Sequence, residues 1–139
     1  MKFFLTLNKK SLAVILAAMI ITLLASFWLL SLKYGYIDGS THEKRALFIR
    51  DMGYVTDETD ITAKEITIPS QFGDVYSNYN ELQKEAGFDL YDFRGRKATV
   101  YSYKILDSDK ILNLIICDGE IIGGDISDPA IDGEMKPLA

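Results

Sequence analysis

Residues 97–126, KATVYSYKILDSDKILNLIICDGEIIGGDI, carry the pattern that decides the fold. In residues 97–106 Thr99, Tyr101, Tyr103 and Ile105 alternate with Ala98, Val100 and Ser102, the period of two that an extended strand requires. Asp107 to Asp109 make a tight connection into residues 111–117, whose nearly continuous apolar run predicts a central strand covered on at least one face. Asp118-Gly119 is the strongest hairpin signal in the chain, because a two-residue hairpin loop favours residues that tolerate positive φ. The chain then returns through residues 120–126, giving three consecutive antiparallel strands.

Upstream, residues 70–86 place Phe72, Val75, Tyr76, Tyr79, Leu82 and Ala86 every three or four positions, one apolar stripe on a helix. Gly87 supplies the left-handed stop and Phe88 falls where a Schellman cap makes its hydrophobic contact, while Asn78, Glu81, Lys84 and Glu85 are expected to face water. Ile66 and Ile68 alternate in a short strand over 65–68, which Pro69 ends near a sheet edge. Asp57, Glu58 and Asp60 read as an exposed connection. A first helix is predicted over 41–52, from the capping-box spacing of Ser40 and Glu43, through Leu47, Ile49 and Met52, to the stop at Gly53. The tail, residues 127–139, with Pro129, Gly133 and Pro137, reads as irregular. The expected architecture is α+β, an amphipathic helix packed on an antiparallel three- to four-stranded sheet, in one domain over 42–139.

At the other end, residues 11–32, SLAVILAAMIITLLASFWLLSL, hold no charge. As a helix this stretch reaches about 33 Å, enough to cross a bilayer. Its Leu, Ile, Val and Phe residues favour insertion by roughly 5 kcal/mol. The lipid bilayer is therefore the expected partner of Ser11 and Leu32 and the residues between them. Lys2, Lys9 and Lys10 precede it and only Lys33 follows before Asp38, so residues 1–10 are expected to be cytoplasmic and the domain extracytoplasmic. Phe27, Trp28, Tyr34 and Tyr36 gather at the outer end, and residues 33–41 read as a tether. The apolar run is too long, and its far side too poor in small residues, for a cleaved signal.

Residues 1–33 hold four Lys and no acid, leaving 11 basic and 20 acidic residues downstream, a net charge of −9. Such a domain repels nucleic acid and anionic headgroups. Cys117, the only cysteine, lies in an apolar run and reads as a small buried hydrophobe. His42, the only histidine, sits at a helix start with no nucleophile-bearing turn, so no catalytic triad is expected. One His and one Cys do not make a zinc site, and Asp118, Glu120, Asp125, Asp128, Asp132 and Glu134 lack the spacing of a calcium loop. No cofactor is implied.

Gly123-Gly124 fits neither a phosphate loop nor a dinucleotide fingerprint. Paired glycines in a strand permit a bulge or the close approach of a helix side chain such as Tyr76 or Tyr79. A ligand would use the same space, which makes Tyr76, Tyr79, Gly123, Gly124 and Asp125 the candidate binding residues. Tyr101 and Tyr103 are candidates to line a groove, with core packing as the alternative.

Ile68-Pro69, Tyr76, Tyr79-Asn80, Leu82-Gln83, Gly87-Phe88-Asp89-Leu90, the Gly95 turn, Ile122-Gly123-Gly124-Asp125 and Asp132-Gly133 occur in an order that resembles a known family. It is an uncharacterised extracytoplasmic domain of unknown function from low-GC Gram-positive bacteria, mostly Clostridia, carried behind one N-terminal apolar helix. The resemblance covers residues 43–135 and implies no activity. The chain departs from it at the short connection 107–109 and at Glu134 and Lys136, where aromatic or His residues are expected.

The resulting expectation is a membrane-anchored, non-catalytic binding or sensory module for an envelope protein, peptide or wall fragment. Two alternatives stand beside it. One is an envelope hydrolase pairing Asp125 with Asp128 or Asp132; the other is a structural protein whose membrane helix associates through Ala13 and Ala17.

Overall fold

The central strand of the meander is buried on both faces, and the rest of the domain is arranged to cover it. The computed structural model describes residues 8–33, 35–130 and 133–138. These fall into two units, Met1–Gly35 and Tyr36–Ala139.

The first unit is one helix, α1 (Lys9–Lys33). Asn8 caps it, its Oδ1 accepting from the Ser11 amide at 2.8 Å. The 22 residues Lys9–Leu30 are long and apolar enough to cross a membrane, and none of them is buried within the unit. Thr22 Oγ1 donates to the Met19 carbonyl and Ser26 Oγ to the Thr22 carbonyl, each at 2.8 Å. These hydroxyls are thus satisfied inside the helix, as a hydrocarbon surrounding demands.

The second unit contains α2 (His42–Asp51), β1 (Thr56–Thr67), α3 (Asp74–Glu85), a 3-10 turn (Leu90–Phe93), β2 (Lys97–Ile105), β3 (Ile111–Cys117), β4 (Glu120–Ser127) and β5 (Met135–Pro137). The strands form one sheet in the order β1-β2-β3-β4-β5, every neighbour antiparallel. The β3-β4 turn has Asp118 at φ 48° and Gly119 at φ 80°, the double positive φ that the Asp-Gly pair predicts.

Strand alternation sends Leu112, Leu114 and Ile116 to one face, where they pack with Ile49 of α2, Tyr103, Ile121, Ile126 and Leu138. Ile115 and Cys117 point the other way, into a second core with Ile68, Leu90, Ala98 and Ile122, flanked by Phe72, Tyr76 and Tyr79 of the α3 segment. The nearly continuous apolar run of 111–117, interrupted only by Asn113, follows from this double burial. A register shift between Ile115 and Ile116 marks a bulge opposite Ile121 and Gly123, so Ile122 joins the second core beside Gly123.

The sheet has five strands where the sequence suggests three or four. β1 runs well beyond 65–68, and its pairing with β2 shifts between Thr56 and Ile61. Asp57 folds back locally there, accepting from Thr59 N at 2.9 Å and Thr59 Oγ1 at 2.6 Å, so the expected acidic connection is an exposed irregularity inside a longer edge strand. The tail, expected to be irregular, adds β5 against residues 125–127 of β4 and inserts Leu138 into the first core. A three-residue edge strand ending at Pro137 is too short to show a period.

The tether also differs. Residues 37–39 already pair with the β3-β4 hairpin, Gly39 N donating to the Gly119 carbonyl and Ile121 N to the Ile37 carbonyl, both at 2.8 Å. The Lys44 ammonium and Ser40 hold Asp38, whose carboxyl falls to about 2. Thr41 rather than Ser40 is the N-cap of α2, accepting from Lys44 N at 3.4 Å. Leu47 and Val75, assigned to the helix stripes, are exposed. At the end of α3 the stop forms as predicted, with Gly87 at φ 87° and Phe88 N donating to the Gln83 carbonyl at 3.0 Å.

A Cβ built on Gly124 would lie 2.3 Å from the Asn113 carbonyl oxygen and 2.5 Å from Leu138 Cδ1, whereas one on Gly123 first meets the end of the Gln83 side chain, at 2.7 Å. Backbone does not yield as a side-chain tip does. Gly124→Ala is expected to lower stability by about 1–3 kcal/mol in urea unfolding of the detergent-solubilised chain, and more than Gly123→Ala does.

Candidate functional site

The five residues singled out from the sequence meet at one place, the contact of α3 with β4. Tyr79 Oη donates to Asp125 Oδ2 at 2.7 Å, and Asn113 Nδ2 donates to Asp125 Oδ1 at 2.8 Å. Asn113 reaches Ser127 Oγ at 3.2 Å, and Ser102 Oγ donates to Asn113 Oδ1 at 2.6 Å. Tyr76 packs edge-on to Tyr79, ring centroids 5.8 Å apart. Gly124 N donates to Gln83 Oε1 at 2.8 Å, so the glycines admit Gln83.

This seam is sealed. Asp125 is 3% exposed and Gln83 fully buried, and Gln83 Nε2 has no hydrogen-bond partner among the described residues. Burial, with the Asp125 charge and hydrogen bond adding to it, holds the Tyr79 phenol far above its ordinary range. Next to the seam, Asn80 Oδ1 accepts from Leu90 N at 2.8 Å while its Nδ2 donates to Asp89 Oδ1 at 2.8 Å, fixing the 3-10 turn. Burial would raise the Asp89 carboxyl, but the hydrogen bonds from Asn80 and Tyr91 N outweigh it and hold the group below its ordinary value.

The carboxylates named with Asp125 do not join it. Asp128 is exposed and accepts from Ala130 N at 3.0 Å, and Asp132 lies outside the described residues. Asp118 pairs with Arg96, and Glu134 with Lys136 at 3.3 Å. His42 Nε2 faces Glu58 at 3.4 Å. Cys117 Sγ donates to the Lys97 carbonyl at 3.4 Å, and burial raises its thiol. Among the described residues no group of three or more His, Cys, Asp or Glu is placed to hold a metal.

An open cleft lies on the opposite face. There Ser40, Arg45, Glu65, Lys97, Thr99 and Tyr101 help line a cleft of about 320 Å³. Arg45 belongs to the buried stripe of α2, with Ala46 and Ile49, and is 7% exposed. Its Nε donates to Tyr103 Oη at 2.9 Å and its Nη1 to the Gly39 carbonyl at 2.9 Å. The guanidinium carbon sits 3.8 Å from the centroid of the Tyr101 ring, a cation–π contact. Tyr101 and Tyr103 are therefore the platform and brace of this arginine. Its presence was missed in the sequence, although an Arg four residues before the buried Ile49 is a cation on the core stripe and a legible signal.

Helices on both faces of a five-stranded antiparallel meander, behind an apolar helix, define a small α+β domain with an N-terminal segment suited to a membrane anchor. The chain belongs to the family described as Domain of unknown function (DUF4830), whose model matches residues 48–126, more than half of the chain. The match holds the sealed seam and stops short of Arg45 and β5. No curated protein and no solved structure matches the chain.

The tyrosines supply a pH test. Burial raises Tyr76, Tyr79 and Tyr103 above the ordinary phenol value, with the Arg45 hydrogen bond lowering Tyr103 in part. A phenol whose folded value is raised stabilises the fold fully below its unfolded value and loses that contribution as pH rises past it. Thermal unfolding midpoints should fall above about pH 10, less steeply in Tyr79→Phe. A profile unchanged by that substitution contradicts the assignment.

Proposed function

We propose that this protein is a membrane-anchored, extracytoplasmic binding or sensory module without catalytic activity, held in a Gram-positive envelope by α1. The lysine bias around the apolar helix supports this orientation, and the length of that helix supports the anchor. The observation that carries the binding role is the cleft lined by residues of α2, β1 and β2, with a nearly buried arginine in its wall. Two facts support the non-catalytic part. Asp125, the carboxylate a hydrolase would need, accepts hydrogen bonds on both oxygens and is closed to solvent. His42 Nε2 faces the Glu58 carboxylate, and its one contact among the described residues is thus with an acid rather than a nucleophile.

An envelope protein, a peptide or a wall fragment is the expected occupant. The full chain in nanodiscs, immobilised and exposed to envelope extract, should retain a component whose capture falls about tenfold or more in Thr99→Phe, which fills the cleft. Retention of nothing, or equal retention by the filled variant, contradicts the proposal. Protease added to intact protoplasts should remove the domain, and its survival would reverse the orientation.

A further inference from the structure

We propose that the Arg45 cleft recognises a single carboxylate, such as the free C-terminus of a peptide, which names the ligand chemistry of the binding role above and rests on it. The first ground is a buried cation with no direct ion pair, the Glu43 carboxylate acting on it only through space. Arg45 is almost completely buried, yet among the described residues no carboxylate lies within ion-pairing distance of its guanidinium. A desolvated cation is costly unless a counter-charge or hydrogen bonds replace its water. Here hydrogen bonds replace only part of it, because Tyr103 and the Gly39 carbonyl occupy Nε and Nη1, leaving Nη2 without a protein acceptor yet not shut off from solvent.

The second ground is preorganisation. The Tyr101 ring lies against the guanidinium plane, and the two hydrogen bonds fix its rotation. A planar fork held this way presents its free N–H groups in a set direction, the geometry that a carboxylate oxygen accepts. Thr99, whose hydroxyl makes no hydrogen bond among the described residues, offers a neutral donor in the same cleft.

The third ground is the charge of the lining. Arg45 and Lys97 are set against Glu65 and Asp118, and Asp118 is already engaged by Arg96. One negative charge is thus welcome beside Arg45, while Glu65 in the lining and Glu43 on the same helix oppose a second. This favours a monoanion over a phosphate dianion. It also reconciles an anion site with an acidic domain, because the cation is recessed and approached through a bipolar rim.

The test uses the full chain in nanodiscs, following the Arg45 Nε–Hε resonance and the thermal midpoint during titration with acetyl-Ala-Ala, its C-terminal amide, acetate and inorganic phosphate. The acid is expected to shift the Arg45 resonance saturably in the millimolar range, about tenfold or more tighter than the amide. Arg45→Lys should abolish the preference for acid over amide. Because that variant also loses two structural hydrogen bonds, Thr99→Val provides the second arm and should weaken acid binding about threefold or more. Equal binding of acid and amide overturns the carboxylate proposal while leaving a binding cleft. Phosphate binding tighter than acetate overturns it in favour of another anion. No perturbation of Arg45 by any probe, with extract still captured through the cleft, rejects the carboxylate and keeps the broader role; loss of both rejects the two together.

Discussion

Burying β3 on both of its faces is the constraint from which the domain's architecture follows. A strand of seven residues with apolar side chains pointing both ways needs two covers, and each must be carried by a different part of the chain. α2 and Leu138 serve one face; α3, the 3-10 turn and Ile68 serve the other. β2 and β4 flank β3 as a meander, and the outer strands β1 and β5 are left to carry the exposed, charged or proline-containing sequence that edges tolerate. The segment after α1 is drawn in by the same demand, since residues 37–39 pair over the turn that joins β3 to β4.

The two covers are chemically unlike. α3 lies so close to β4 that its most buried residues are Asn80 and Gln83, amides that take up the backbone N–H groups of Leu90 and Gly124. Beside them Tyr79, Asp125 and Asn113 are bonded to one another in a second polar chain. Such a network specifies one packing and leaves little free for chemistry. α2 places Arg45 on its buried stripe, and beside that residue lies an open cleft rather than a seam. The binding role proposed above rests on the face where the buried Arg45 has no direct ion pair, while the tightly bonded face holds the sheet.

Much of this was legible in the sequence where a period or a turn runs long enough to be seen. The alternation of 97–106, the Asp118-Gly119 turn, the stop at Gly87 and the uncharged run of 11–32 each express a local rule, and each is present in the structure. β5 was hidden because three residues show no period, and most of β1 because its acidic half is bulged at an edge. The glycines were read as admitting a helix side chain such as Tyr76 or Tyr79, and the side chain they admit is Gln83. What was not read is the closure of the candidate residues, which depends on Gln83 and Asn80, polar residues whose i+4 spacing from Tyr79 and Tyr76 sets them on the buried face although their chemistry reads as surface. The cleft was hidden for another reason: the position of Arg45 on the stripe of Ile49 could be read, but the opening beside it is made by residues of β1 and β2 far along the chain.

Amide hydrogen exchange of the full chain in nanodiscs tests double burial of β3 most directly. Slowest exchange is expected at the amides of 112–116 and their β4 partners, with residues 57–60 of β1 exchanging orders of magnitude faster. Protection of 112–116 no greater than that of 57–60 would mean that β3 lacks one of its covers, and the account of both faces would fall with it.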